Sequence, residues 1–209
     1  MKRNGLVLFL SAGLLAVPWM QGSGQSRDLG VALTELRSGR YQEAIDGLRS
    51  LTAHGGRAPS VGRTLGRALM EVGRYEEVVE ALGGGMGVAE ADPAFSNVLG
   101  EALYALGRVQ EAEALFQRAL EGGASDRNVA KLNLGILQWN RGEREEALAL
   151  FDSFIDLYNR SGSTLSAEDL MAVGRAVSYL GVTNPALYQD ALMAFTEASE
   201  LAPRDPRPH

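Results

Sequence analysis

Gly39, Gly73 and Gly107 stand 34 residues apart, and each is followed by an arginine. The spacing continues, slightly stretched, to Gly142 and Gly181. A fixed period in this range confines a chain to stacked copies of one supersecondary unit. Eight positions before each glycine stands an apolar residue, Val31, Leu65, Leu99, Leu134 or Val173, and seven before it a small one, Ala32, Gly66, Gly100, Gly135 or Gly174. Behind the turn, Ala44, Val78, Ala112 and Ala147 are followed four residues later by Leu48, Leu82, Phe116 and Phe151. Apolar spacings of 3, 4 and 7 fit one face of a helix, so each unit reads as two helices joined at the glycine. The small residues let two helix backbones approach where a larger side chain would hold them apart. Abundant alanine and leucine with scarce isoleucine favour helix over strand.

The stretches LGEALYALGRVQEAEALFQRAL and LNLGILQWNRGEREEALALFDSFI resemble the tetratricopeptide repeat family, whose signature is a Leu-Gly pair, a turn glycine, then alanine and an aromatic residue. The resemblance implies an all-α solenoid of about five antiparallel helix pairs over residues 27–205. Two departures bear on its shape. The run Gly83-Gly84-Gly85-Met86-Gly87 is expected to end the second helix of the second pair about one turn early. In the fifth pair about five residues are inserted after Gly181, which predicts that the last helix starts early, at Pro185. Residues 206–209 form a tail in which Asp205-Pro206 reads as the opening of a further repeat.

Lys2 and Arg3 precede an apolar stretch from Leu6 to Met20 and then small and polar residues up to Ser26. This is the order of a secretory signal, with cleavage before Gln25 or Arg27. It predicts export, in a bacterium to the periplasm; the alternative is a membrane anchor, for which about 15 apolar residues interrupted by Pro18 are short. Nothing later approaches a spanning length, so the mature chain is not expected to cross a membrane. Beyond residue 26 there are 18 basic and 26 acidic residues, a net charge of −8, which argues against a nucleic-acid partner.

With no cysteine and only His54 and His209 as histidines, thiol chemistry and a His-based metal or catalytic site are hard to build. The glycine run lacks the strand before it and the Lys-Ser/Thr after it that a phosphate loop needs. Glu76-Glu77 and Glu145-Glu146 sit in first helical turns, where carboxylates suit the exposed amides. No cofactor, metal or catalytic residue is expected, and the chain reads as a non-enzyme.

In an array of this family the first helix of each pair lines a concave groove. If positions eight and four before the turn glycine face the core, positions ten, six and three before it face away. These are Arg63, Arg67 and Met70; Asn97, Glu101 and Tyr104; Leu132, Ile136 and Trp139; and Met171, Arg175 and Ser178, with Asn133 and Asn140 bordering the same face. Arginines and exposed aromatics dominate binding energetics, so this set is the candidate groove for a protein or peptide. One subset of the family grips a terminal carboxylate with lysine, arginine and asparagine. The matching positions here are Arg63, Arg67, Val98, Val129 and Asn133, or Asn97, Glu101, Asn133, Glu168 and Ala172, and the valines and acids spoil that clamp. The expectation is a protein-binding scaffold, or alternatively the amino-terminal interaction module of a larger envelope enzyme or assembly. The last helix carries apolar residues on more than one face, which predicts self-association or a further repeat there.

Overall fold

The computed structural model describes residues 19–53, 59–83, 93–161 and 164–203. Residues 1–18 of the leader, His54, the glycines from Gly84 to Gly87 and the tail from 204 lie outside the described residues. Ten helices and no strand occur among the described residues: α1 (Trp19–Arg37), α2 (Tyr41–Ala53), α3 (Pro59–Glu71), α4 (Tyr75–Gly83), α5 (Pro93–Ala105), α6 (Val109–Ala119), α7 (Ala124–Arg141), α8 (Arg144–Ser161), α9 (Ala167–Gly181) and α10 (Leu187–Leu201). Helix α1 begins directly after Pro18, ahead of the array boundary expected at residue 27.

Each odd-numbered helix packs against the even-numbered helix that follows, which makes five pairs. Successive first helices also pack on one another, α3 on α5, α5 on α7 and α7 on α9, whereas no second helix packs comparably on the next second helix. A stack held closer along one side curves toward that side. The first helices therefore line the concave surface and the second helices the convex one.

The pairs turn on glycine because the chain reverses through a left-handed residue. Gly39, Gly73, Gly107 and Gly142 have φ of 72, 71, 77 and 87°. At each, the next amide donates back five residues, as from Arg74 N to Leu69 O at 2.9 Å, and the glycine amide donates back three. This double closure satisfies carbonyls that the helix end leaves open. The arginine after the turn then meets an acid beside it: Arg108 donates to both oxygens of Glu111, at 2.7 and 2.6 Å. Gly181 departs from the expected pattern. It is helical and buried, and α9 runs on to it. The inserted residues form the link, where amides donate three residues back, Leu187 N to Asn184 O and Tyr188 N to Pro185 O, before the α-helix starts at Leu187. The expected start at Pro185 is thus corrected to a tighter lead-in turn there. Helix α4 ends after nine residues at the glycine run, short of the 13 in α2.

In the last four pairs the second helix lays one side chain on the glycine of the first. A Cβ on Gly100 would stand 2.6 Å from Phe116 Cε1, one on Gly135 2.6 Å from Phe151 Cε1, and one on Gly174 2.5 Å from Phe195 Cε1. In the second pair Leu82 fills this place, 2.8 Å from a Cβ on Gly66. Two apolar clusters result, one from Ala32 to Leu137 and one from Leu132 to Ala198. They meet in α7, which gives Leu137 to the first and Leu132 and Ile136 to the second. On the last helix Ala191, Ala194 and Ala198 are buried, while Leu192 and Met193 are 58% and 54% exposed.

Side chains tie neighbouring pairs on the convex side. Glu77 of α4 accepts from Arg49 of α2 and from Arg74, the latter at 2.7 Å through Nη2. The bonds from Arg74, with those from Arg49 behind them, hold the Glu77 carboxyl below the usual carboxylate range. Tyr158 of α8 donates to Glu197 of α10 at 2.5 Å.

Two measurements check this packing. Substituting Gly135→Leu drives a side chain into the Phe151 ring and is expected to cost about 1–3 kcal/mol, lowering the thermal midpoint, whereas Gly47→Ala, at an exposed helical position with nothing within 4 Å, is expected to stabilise by about 0.4–1 kcal/mol. Equal effects at the two sites would contradict the ring-on-glycine contact. A carboxyl with a depressed folded pKa contributes stability above its unfolded value, 4.5, and loses it as the pH falls through the folded one. The midpoint of Glu77→Gln should therefore lie below that of the parent at neutral pH, and the gap should close in acid.

Candidate functional site

The concave surface is built from polar contacts between α5 and α7. Asn97 Nδ2 donates to Asp126 O at 2.9 Å, Asn133 Nδ2 to Glu101 Oε1 at 2.9 Å, and Asn140 Nδ2 to Tyr104 Oη at 2.6 Å. Asn97 and Asn133 are buried, at 5% and 7% exposure. The next interface, α7 with α9, is mainly apolar. Trp139 meets Tyr179 edge to face with centroids 5.4 Å apart, Tyr179 stacks on Phe151 at 4.7 Å, and the Arg144 guanidinium lies 3.9 Å over the Trp139 ring. At the mouth of α9, Ser166 and Asp169 form a reciprocal cap, and Asn128 of α7 donates to Asp169 Oδ1 at 2.9 Å.

Comparison with known proteins decides the family. A tetratricopeptide repeat model matches residues 63–128, and a second model of that description matches residues 128–153. Residues 63–153 are thus tetratricopeptide repeats. Among solved structures it is similar to a thermophilic TPR protein of Thermus thermophilus, at 19% identity and a TM-score of 0.63, covering 88% of this chain and 94% of that one. It is similar also to MamA, at 17% identity and a TM-score of 0.53, with the same two coverages. At these identities the likeness is one of fold. No curated protein matches the sequence.

Within this TPR array the expected groove residues divide. Arg63, Arg175 and Asn140 are exposed; Arg67, Met70, Glu101, Tyr104, Trp139, Met171 and Ser178 are partly buried. Asn97, Asn133, Leu132 and Ile136 are buried, which corrects the expectation that they face the groove or its border. The reason is geometric: an interior first helix meets its own partner, the second helix of the previous pair, and the first helices on either side, so a face turned from the pair core is still an interface. Trp139 is partly buried, and its ring is engaged by Tyr179, Phe151 and Arg144. The sequence reading missed Tyr179, Asn128 and Asp169. The S-A-E-D run at Ser166 ahead of an apolar helix signals the cap, but nothing local signals the aromatic stack.

Arg67 of α3 forms an ion pair with Glu168 of α9. Glu168 therefore does not stand as the unpaired acid that argued against a carboxylate clamp, and Arg67 is not a free cation. A separate cavity of about 240 Å3 lies among Ile155, Tyr158, Asn159, Val173, Val177, Asp190 and Met193 of α8, α9 and α10. It shares no residue with the groove set. No helix of the described residues is long and apolar enough to cross a membrane.

Replacing Trp139 with alanine is expected to destabilise the array by about 2 kcal/mol or more, because three partners lose their contact. Arg175→Ala, at an exposed side chain, should leave the denaturation midpoint nearly unchanged. A neutral Trp139→Ala would return that residue to the free groove surface.

Proposed function

We propose that this chain is an exported, non-catalytic scaffold that holds a protein or peptide segment in its concave groove. The observation that carries the reading is the set of accessible polar and cationic side chains, Arg63, Arg175 and Asn140, which the first helices present on one curved surface. Repeat proteins of this family serve as protein-interaction scaffolds, and arginines of this kind anchor interfaces. Export rests on the basic, apolar and small-residue order of residues 1–26. The exposed apolar side chains of α10, Leu192, Met193 and Leu201, favour the second reading, in which the array is an interaction module within a larger envelope assembly.

Affinity capture from the native cell extract with the array and with an Arg63→Ala, Arg175→Ala variant tests the groove. Capture should weaken roughly tenfold, or about 1.4 kcal/mol, with the thermal midpoint preserved. Undiminished capture would move the site to another face. Sequencing the amino terminus of the protein recovered from the periplasm should read from Gln25 or Arg27; recovery of the intact leader in the membrane fraction would favour the anchor.

A further inference from the structure

Most contacts on the concave side join first helices that are neighbours. The pair between Arg67 and Glu168 skips α5 and α7 and joins residues 101 apart in sequence. In a straight stack with helices about 9 Å apart, α3 and α9 would be separated by roughly 27 Å, well beyond the combined reach of an arginine and a glutamate. The array is therefore curled until α3 faces α9 across the groove. No backbone packing joins these two helices comparably to the neighbouring ones; side chains make the bridge. Both stay open to water, at 29% and 40% side-chain exposure, and such a pair is weak and sensitive to salt.

We propose that the Arg67–Glu168 pair is a clasp that holds the groove narrow, and that an acidic segment opens it by taking the place of Glu168 on Arg67. Arg63 lies one helical turn before Arg67 on α3 and Glu71 one turn after it. Asp169 follows Glu168, Arg175 lies two turns beyond it on α9, and Glu101 of α5 borders the same face, so the pair sits among charges of both signs. Glu168 engages Arg67 through Nη2, and an incoming carboxylate can pair with the planar guanidinium fork through two parallel bonds, a match that Glu168 does not offer to an incoming ammonium. As a control on partner entry the clasp rests on the groove being the binding face, but its existence does not.

The chain has no cysteine, so spin labels can be placed uniquely at Val72→Cys and Val182→Cys, exposed positions just after α3 and α9. The distance between them reports the groove width in the full chain. Arg67→Glu is expected to lengthen and broaden this distance by repulsion, and the swap Arg67→Glu with Glu168→Arg to restore it. Helicity by circular dichroism is followed on each, and the neutral pair Arg67→Gln and Glu168→Gln gives the same reading should the reversal unfold. Poly-glutamate is expected to widen the parent more than sodium chloride at equal ionic strength, and to do nothing further to Arg67→Gln. Unchanged distances in the charge variants, or a swap that fails to restore them, would overturn the clasp. An equal response to poly-glutamate and salt would overturn displacement by an acidic segment. A wrong groove assignment shows separately, as capture that ignores Arg63 and Arg175 while the distances respond as expected.

Discussion

The last three pairs of this array depend on a flat ring lying against a helix backbone that carries no Cβ. Phe116, Phe151 and Phe195 each rest on the glycine of the preceding helix at a distance no side chain could share. The contact sets the separation within the pair and fixes the orientation of the ring. Phe151 shows the consequence. Seated on Gly135, it offers its face to Tyr179 of the next pair, and Tyr179 in turn receives the edge of Trp139. One local close approach thus passes from the fourth pair to the fifth as a stack of rings, and repeat arrays draw their stability from such nearest-neighbour terms.

The elements legible in the sequence are those fixed by a few residues in register. The glycine at the turn must take positive φ, and the small residue seven positions earlier must admit a ring or a leucine, so both recur visibly with the period. The fifth pair loses that legibility because its insertion falls between the helices. Gly181 keeps the spacing but has become part of α9, and its missing Cβ accommodates Tyr188, whose Cε1 would stand 2.6 Å from it.

The groove was less legible, for a physical reason. Helical periodicity distinguishes one buried face from the rest, but an interior first helix here packs against four other helices. Leu132 and Ile136 lie opposite their own pair core and are buried in the next cluster. Asn97 and Asn133 look like groove polar residues and are consumed between α5 and α7. The Arg67–Glu168 contact is less visible still, because it depends on curvature accumulated over several interfaces and on no local pattern at all.

Two interfaces of the concave side, α5 with α7 and α7 with α9, differ in how readily they can yield. Between α7 and α9 the rings are shape-matched, and sliding them forfeits dispersion and burial together. Between α5 and α7 the contacts are directional bonds from asparagine amides, which can exchange partners with water at small net cost. That second interface is also incompletely satisfied: the buried Asn97 Oδ1 has no hydrogen-bond partner among the described residues. A buried acceptor without a donor raises the energy of the closed arrangement and lowers the cost of leaving it. Because α5 and α7 lie between α3 and α9, a small rotation there is amplified at the far ends of the curve. The polar interface is therefore where the array should bend when the charges across the groove separate, while the aromatic junction carries α9 and α10 along as one body.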